Sequence, residues 1–388
     1  IHTAVKIAPA YRQPVIHVRD ASKVTSVIAE LLSTAEKRDA YIVQMKDRYE
    51  KLTKKYRDSQ SEDRYLNFAE AKRNRFNANF DASKVFKPKQ TGIFVIEDQP
   101  LEELVPFIDW TFFFHSWRLS GKYPQIFDDP VKGEEAKKIY ADARQLLDEI
   151  VKNKSLKASG VAGIFPAKSE HETILVYEED NMTEKCRFEF LRNQQEKKAG
   201  IPNLSLTDFI APTSGKTDDY LGAFVVTAGH GAETLSKKYE QQNDDYNAIM
   251  VKVLADRLAE AFAEFLHHKV RRELWGYDPD EQLTLEEMLS EGYQGIRPAP
   301  GYPACPEHSE KEILFELLSA EKHTGVKLTE NFAMTPPAAV SGFYFAHPDA
   351  QYFNIGKVGA DQINDYAKRK KMSNSEIERL LNANLNYR

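Results

Sequence analysis

Hydrophobic residues recur along this chain at two spacings, and the two spacings indicate different elements. Apolar side chains at helical spacing run through 133–152 and through about 246–274, which predicts two amphipathic helices. Short apolar runs predict strands at 14–18, 93–96, 161–166, 173–178, 186–191 and 221–227. The links between the three runs within 161–191 are too short for a crossover helix, so those strands are predicted to pair antiparallel. Adjacent strands with helices grouped elsewhere predict an α+β fold.

A dense run of charge, residues 36–75, interrupts this pattern near the N-terminus. It contains few aliphatic side chains, and opposite charges lie close enough to pair four positions apart. The run is therefore predicted to be a solvated helical linker. A shorter helix precedes it, capped by Asp20 or Ser22, with apolar residues at Val24, Val27, Ile28, Leu31 and Leu32.

Composition excludes several classes of protein. The 388 residues carry 53 Lys and Arg against 59 Asp and Glu, a net charge of −6, and 41% are hydrophobic. This hydrophobic fraction supports a sizeable core and excludes a disordered chain. No apolar run approaches the roughly 20 residues that span a bilayer, and the acidic balance argues against general nucleic-acid binding. Two cysteines, Cys186 and Cys305, cannot form a disulfide framework and fit a reducing compartment.

Metal-binding patterns in the sequence are incomplete. Cys305 and His308 have the spacing of zinc ligands, but no partner pair accompanies them. Glu264 and His267 have the spacing of one half of a di-iron site, but the second half is missing. The sequence therefore predicts no metal site.

The helix predicted over 246–274 has two unlike faces. One face is an apolar stripe that must pack on a core, formed by Met250, Leu254, Leu258, Ala261, Phe262 and Phe265. The opposite face begins apolar and becomes polar, through Ile249, Val253, Asp256, Glu260, Glu264 and His267. That face either emerges into solvent or lines a polar cleft, in which Asp256 or Glu260 faces a cationic ligand.

A proline-rich segment, residues 295–306, has four prolines and two glycines, which excludes a helix or a central strand. Proline fixes φ, so little backbone entropy is left to lose when a ligand binds. Gly301 permits close approach to the backbone, and Arg297 offers a planar fork for a carboxylate. On composition alone, the segment is either a rigid surface loop or part of a ligand site.

Two pairs of residues add candidate chemistry for a cationic ligand. Asp109 and Trp110 lie in an aromatic segment, and Tyr352 and Phe353 lie on a predicted late strand. An acid beside aromatic rings can hold an ammonium or sulfonium group through charge and cation–π attraction. The alternative is that the aromatic pair belongs to the core.

Taken together, these segments resemble the C-terminal activation domain of cobalamin-dependent methionine synthase. The resemblance extends in order over residues 60–388. It rests on 108–111, 119–124, 244–246, 256–261, 295–306, 321–325 and 340–342, followed by Tyr352 and Phe353.

The resemblance implies an α+β fold, a C-shaped single large domain with a central antiparallel sheet flanked by helices. It divides the chain into 1–42, the tail of a cobalamin-binding module, 43–59, a charged helical linker, and 60–388, an S-adenosylmethionine-binding activation domain. Ala21 would lie at the edge of the cobalamin. The start at Ile1 and the absence of the family's cobalt-ligating Asp-x-His-x-x-Gly motif indicate a part of a larger enzyme.

The implied function is to support reductive remethylation of inactive cob(II)alamin to methylcobalamin, so that the full methyltransferase can convert homocysteine to methionine. The implied methyl donor is S-adenosylmethionine, and the implied electron donor is flavodoxin or a flavoprotein reductase. The protein would be a cytoplasmic monomer that works with a cobalamin-binding module and binds neither nucleic acid nor membrane. Two alternatives stay open: a non-catalytic docking module for the flavoprotein, and a free-standing methyltransferase.

The resemblance also assigns roles to individual residues. Asp109 would pair with the ammonium of S-adenosylmethionine, and Arg297 would hold its carboxylate. Backbone groups from Ala299 to Tyr302 would shape the site. The remaining assignments are acids near the methionine part and rings near the sulfonium, namely Glu260, Glu291, Tyr352 and Phe353. No catalytic acid or base is implied, because methyl transfer from a sulfonium to cobalt(I) moves no proton.

Overall fold

The computed structural model describes residues 1–18, 23–60, 64–81 and 83–387. The chain divides into two units, Ile1–Tyr65 and Leu66–Arg388. The first unit is helical: a π-helical turn (Thr3–Ile7) and a 3₁₀ turn (Ala8–Ala10) precede α1 (Val24–Leu31) and α2 (Ala35–Gln60). Helix α2 confirms that the charged run is helical over most of its predicted length.

Two predictions for the first unit are not confirmed: one is wrong, and the other concerns residues that the structure does not describe. The strand predicted at 14–18 is wrong, because this segment has no regular structure. The backbone N–H of His17 donates to the hydroxyl of Tyr49 (2.9 Å) and not to a neighbouring strand. Asp20, Ala21 and Ser22, the predicted caps and the predicted cobalamin contact, lie outside the described residues.

The second unit is built on an antiparallel sheet. Its strands, together with a separate two-stranded ladder of β6 and β7, are β1 (Gly92–Gln99), β2 (Lys157–Glu170), β3 (Thr173–Tyr177), β4 (Glu184–Glu189), β5 (Asp219–His230), β6 (Lys327–Leu328), β7 (Met334–Thr335) and β8 (Ala339–Tyr344). The order is β4-β3-β2-β5-β8. One edge of β2 pairs with β5, and its other edge pairs first with β1 and then with β3. The predicted antiparallel pairing of β2, β3 and β4 is confirmed.

Helices cover both faces of this sheet. They are α3 (Phe68–Arg73), α4 (Leu101–Leu104), α5 (Trp110–Ser116), α6 (Gly133–Asn153), α7 (Ala232–Glu240), α8 (Asp245–Lys269), α9 (Leu285–Leu289), α10 (Glu310–Leu317), α11 (Ala320–Thr324), α12 (Ala360–Lys370) and α13 (Asn374–Leu380). Alternate strand residues point to opposite faces. Phe224 and Val226 of β5 pack with α5, α6 and α8, whereas Ala223 and Val225 pack with α10 and α11. The predicted α+β fold, an antiparallel sheet flanked by helices, is confirmed.

Helix α8 packs against β5 and β8 and then continues into a π-helical turn (Val270–Leu274). Its predicted apolar stripe packs into the core that it shares with α5, α6 and β5, and of the stripe only Phe265 is partly exposed. The opposite face runs from the surface into the interior, since Ile249 is 52% exposed, Glu264 is 5% exposed and His267 is fully buried. None of the described helices combines the length and apolarity that a bilayer span needs.

The proline-rich segment lies along the outer edge of β8. Ile296 and Phe345 exchange two backbone hydrogen bonds (both 3.0 Å), and the N–H of Phe343 donates to the carbonyl of Pro298 (2.9 Å). The strand predicted at Tyr352 and Phe353 is wrong: these residues lie in a loop. Further along this loop, the N–H of Ile355 donates to the carbonyl of Pro303 (2.9 Å), so this loop is tied to the proline-rich segment.

Candidate functional site

Arg297 is held at both its backbone and its side chain. Its guanidinium Nη2 donates to Glu264 Oε2 on α8 (3.0 Å), and its backbone N–H donates to the hydroxyl of Tyr352 (2.9 Å). The Tyr352 hydroxyl lies 3.2 Å from the hydroxyl of Tyr293. The guanidinium carbon lies 5.9 Å from the centre of the Phe224 ring, and 15% of the side-chain surface is exposed. Arg297 is therefore a partly buried cation whose backbone is fixed by Tyr352.

A tight turn shapes the backbone that follows Arg297. The N–H of Tyr302 donates to the carbonyl of Ala299 (3.1 Å), with Pro300 and Gly301 between them. Proline followed by a glycine with φ of +98° is the sequence signature of a type II turn. A side chain at Gly301 would place its Cβ 2.2 Å from the ring of His308. The positive φ favours glycine here whether or not a ligand is bound, and a larger residue would also have to displace the His308 ring.

Charged and aromatic side chains surround Arg297. Burial raises the pKa of Glu291, and the guanidinium of Arg297 opposes this rise. Burial also raises the pKa of the Tyr302 hydroxyl, with the charge of Glu260 adding to the rise and Arg297 opposing it. The pKa of Tyr352 is raised by burial and opposed by Arg297 in the same way. The charge of Arg297 therefore acts on Glu291, Tyr302 and Tyr352, and of these Tyr352 also accepts a direct hydrogen bond from the backbone N–H of Arg297.

Asp109 and Phe353 have partners other than Arg297. The carboxylate of Asp109 caps α5 by accepting from the N–H of Thr111 (2.8 Å), and within the described residues no hydrogen bond or ion pair joins it to Arg297. The Phe353 ring packs on Phe209 (6.5 Å between centres) at the core on the α10 and α11 side of the sheet. The ligand roles of all eight candidate residues stay predictions.

Several buried polar groups near Arg297 were not expected from the sequence. Four atoms on four side chains have no hydrogen-bond partner in the part of the chain that the structure describes: Glu264 Oε1, His267 Nδ1, Arg297 Nε and the Tyr344 hydroxyl. The rings of His267 and Tyr344 are stacked (5.1 Å). Burial, assisted by two neighbouring arginines, lowers the pKa of His267 well below its ordinary value, so its ring is neutral. Glu264 and His267 lie on the polar face that the sequence predicts for this helix, and this spacing is the signal that identifies them, whereas no periodicity points to Tyr344.

This arrangement suits recognition of a ligand that carries both signs of charge. Arg297 retains a buried N–H without a partner, which suits a carboxylate. Glu260, Glu291 and the tyrosine rings suit cationic groups. Among the described residues, no group of three or more His, Cys, Asp or Glu side chains could hold a metal ion.

Comparison with known proteins identifies relatives of this chain. The family described as the activation domain of vitamin B12 dependent methionine synthase matches residues 100–371. A crystal structure described as the MetH reactivation domain bound to AdoHcy is 47% identical, with a TM-score of 0.81, and the match covers 84% of this chain and 99% of that chain. The matched range 100–371 contains all eight candidate residues. The chain therefore belongs to the family of the activation domain of vitamin B12 dependent methionine synthase.

Proposed function

We propose that this chain binds S-adenosylmethionine and supports the reductive remethylation of cob(II)alamin in a methionine synthase. The observation that carries the proposal is Arg297, a partly buried guanidinium with an unpartnered Nε, whose backbone N–H is held by Tyr352 and whose charge opposes the rise that burial causes in the pKa of Glu291. The related reactivation domain was solved with AdoHcy, the demethylated form of this ligand, which supports the same ligand class here.

The residues of this chain would bind and orient the ligand. Arg297 would hold the carboxylate, and Asp109 would attract the ammonium. Glu260 and Glu291 would stabilise positive charge along the methionine part, and the Tyr352 ring would face the sulfonium. Bound S-adenosylmethionine supplies the methyl group for cobalamin. Positioning and exclusion of water are the protein's contribution, because the transfer needs no acid or base.

We propose the partners on the same basis. Family membership implies a cobalamin-binding module, and flavodoxin or a flavoprotein reductase would supply the electron. Methylation of homocysteine would be the activity of the complete methyltransferase. A monomeric state, a cytoplasmic location and the boundaries 1–42, 43–59 and 60–388 also stay predictions.

The test is calorimetric titration of this chain with S-adenosylmethionine. Arg297→Ala should weaken binding by roughly 1.5–3 kcal/mol, the range for hydrogen bonds to charged groups. Arg187→Ala is a matched control, since it removes an exposed arginine of β4 that pairs only with surface Glu184 among the described residues, and it should leave affinity unchanged. No binding by the unaltered chain, or equal binding by Arg297→Ala, would contradict the proposal. Capture of a flavoprotein without S-adenosylmethionine binding would favour the docking-module alternative.

A further inference from the structure

The pair between Glu264 and Arg297 uses only part of each side chain. Glu264 Oε2 accepts from Arg297 Nη2 (3.0 Å), while Glu264 Oε1 and Arg297 Nε are buried and unpartnered in the described part of the chain. A carboxylate and a guanidinium can pair through two parallel bonds. Here one bond is made, so the fork keeps donors for a second carboxylate.

Glu264 has the position of a rigid support. It lies on α8, which packs against β5 and β8, and 7% of its side-chain surface is exposed. Glu264 is the carboxylate that forms an ion pair with Arg297 among the described residues. His267, one turn further along α8, is fully buried and forms no hydrogen bond or ion pair with Arg297 among the described residues.

The backbone contact alone does not orient the guanidinium. Tyr352 fixes the N–H of Arg297, but three CH₂ groups joined by rotatable bonds separate the backbone from the guanidinium. Phe224 limits one side at 5.9 Å. A planar fork binds a carboxylate well only when its plane is held.

We infer that Glu264 is a positioning residue, which orients the Arg297 guanidinium so that its remaining N–H groups meet the carboxylate of the ligand. This inference rests on the proposed function and adds a residue to it. Glu264 itself would not touch the ligand, so its effect should appear only with ligands that carry a carboxylate.

Two ligands separate positioning from a structural role. S-adenosylmethionine has the carboxylate, whereas its decarboxylated analogue keeps the ammonium and sulfonium groups without it. The ratio of their affinities measures what the carboxylate contributes. In Glu264→Gln this ratio should fall roughly three- to tenfold, the equivalent of about one hydrogen bond, with analogue binding unchanged. In Arg297→Ala the ratio should approach one, and adding Glu264→Gln should then change nothing.

A control variant and a second substitution of Glu264 separate positioning from a loss of folding. Glu273→Gln, an exposed acid just beyond α8, should leave both affinities unchanged. If Glu264→Gln does not fold, as judged by thermal unfolding, Glu264→Asp retains the charge but withdraws it from Arg297 and should lower the same ratio. An equal loss for both ligands would indicate a structural role. An unchanged ratio would also overturn the inference, and a raised ratio would mean that Glu264 competes with the ligand for Arg297. Failure of the proposed function is distinct, because the unaltered chain would then not bind S-adenosylmethionine.

Discussion

Gly342 of β8 lies against the segment that carries Arg297, so replacing it by alanine should disturb both stability and ligand binding. A Cβ at this position would lie 2.7 Å from the carbonyl oxygen of Pro298 and 3.0 Å from the Phe224 ring. The carbonyl belongs to backbone, which cannot rotate away as a side-chain end can. The proline-rich segment would have to move off the edge of β8 by several tenths of an ångström.

Three effects set the magnitude for Gly342→Ala. Overpacking in a well-packed site destabilises by about 1–3 kcal/mol. Weakening the hydrogen bond from Phe343 to Pro298 removes up to about 1 kcal/mol. Alanine restricts the unfolded chain and returns about 0.4–1 kcal/mol. The net loss should be about 1–3 kcal/mol, which in a domain of this size lowers the melting temperature by about 1.5–4.5 °C.

Thermal unfolding and calorimetry with S-adenosylmethionine together test this reasoning. Gly342→Ala should melt earlier and bind roughly three- to tenfold more weakly, because Arg297 moves with Pro298. Ser341→Ala is the matched control. Ser341 faces the other side of the sheet, and its buried hydroxyl has no hydrogen-bond partner in the described chain, so its removal should be nearly neutral. A variant at Gly342 that melts and binds like the unaltered protein would refute the close contact, and early melting with unchanged affinity would refute its link to Arg297.

Two further predictions concern groups away from this contact. Burial raises the pKa of Asp219 from 3.8 to about 7, so the native state binds the extra proton between pH 4 and pH 7. Stability should therefore fall as pH rises through this window, by at most about 1.4 kcal/mol per pH unit. Asp219→Asn should remove this slope in denaturant titrations, and a pH-independent difference between the two proteins would contradict it. Arg192 is buried and donates to Asp208 (2.7 and 2.8 Å) and Glu172 (2.8 Å). Arg192→Ala leaves Asp208 buried without its cation and Glu172 with only Lys72 (3.4 Å), and it should lower the free energy of unfolding by about 3–5 kcal/mol; a loss below about 1 kcal/mol in chemical unfolding would show that the network is dispensable.

Most elements of the second unit can be predicted from the sequence because local spacing determines them. Helix α6 spans Gly133–Asn153 against a predicted 133–152, and α8 with its π-helical turn spans 245–274 against about 246–274. The antiparallel pairs β2–β3 and β3–β4 follow from the short links between these strands, whereas the pairs β1–β2, β2–β5 and β5–β8 join distant segments and do not. The local sequence pattern predicts the wrong element where the hydrogen bonds of a segment go to a loop that is distant in the sequence. Tyr352 and Phe353 resemble a strand, but their segment is tied to Pro303 and Arg297 and not to the sheet.

The candidate site is predictable in its residue types but not in its pairings. Arg297 can be identified because a planar cation lies in a rigid proline-rich segment. Its partner Glu264 lies 33 residues earlier, and helical spacing leaves open whether the polar face of α8 ends in solvent or in the interior. The packing of α8 on β5 and β8 decides this. No periodicity in the sequence indicates that Tyr293 and Tyr344 lie near Glu264 and Arg297, because these four residues do not belong to one element of the fold.

The pairing of the proline-rich segment with β8 also affects how the protein behaves in solution. β8 is the last strand on its side of the sheet, and an open strand edge is a template for association with other chains. Ile296 and Pro298 take up backbone groups of Phe345 and Phe343 along this edge, and proline has no N–H with which to extend a ladder. The segment that carries Arg297 therefore also prevents edge-to-edge association of the sheet with other chains. A substitution that loosens it should reduce solubility together with affinity, even when the rest of the fold is intact.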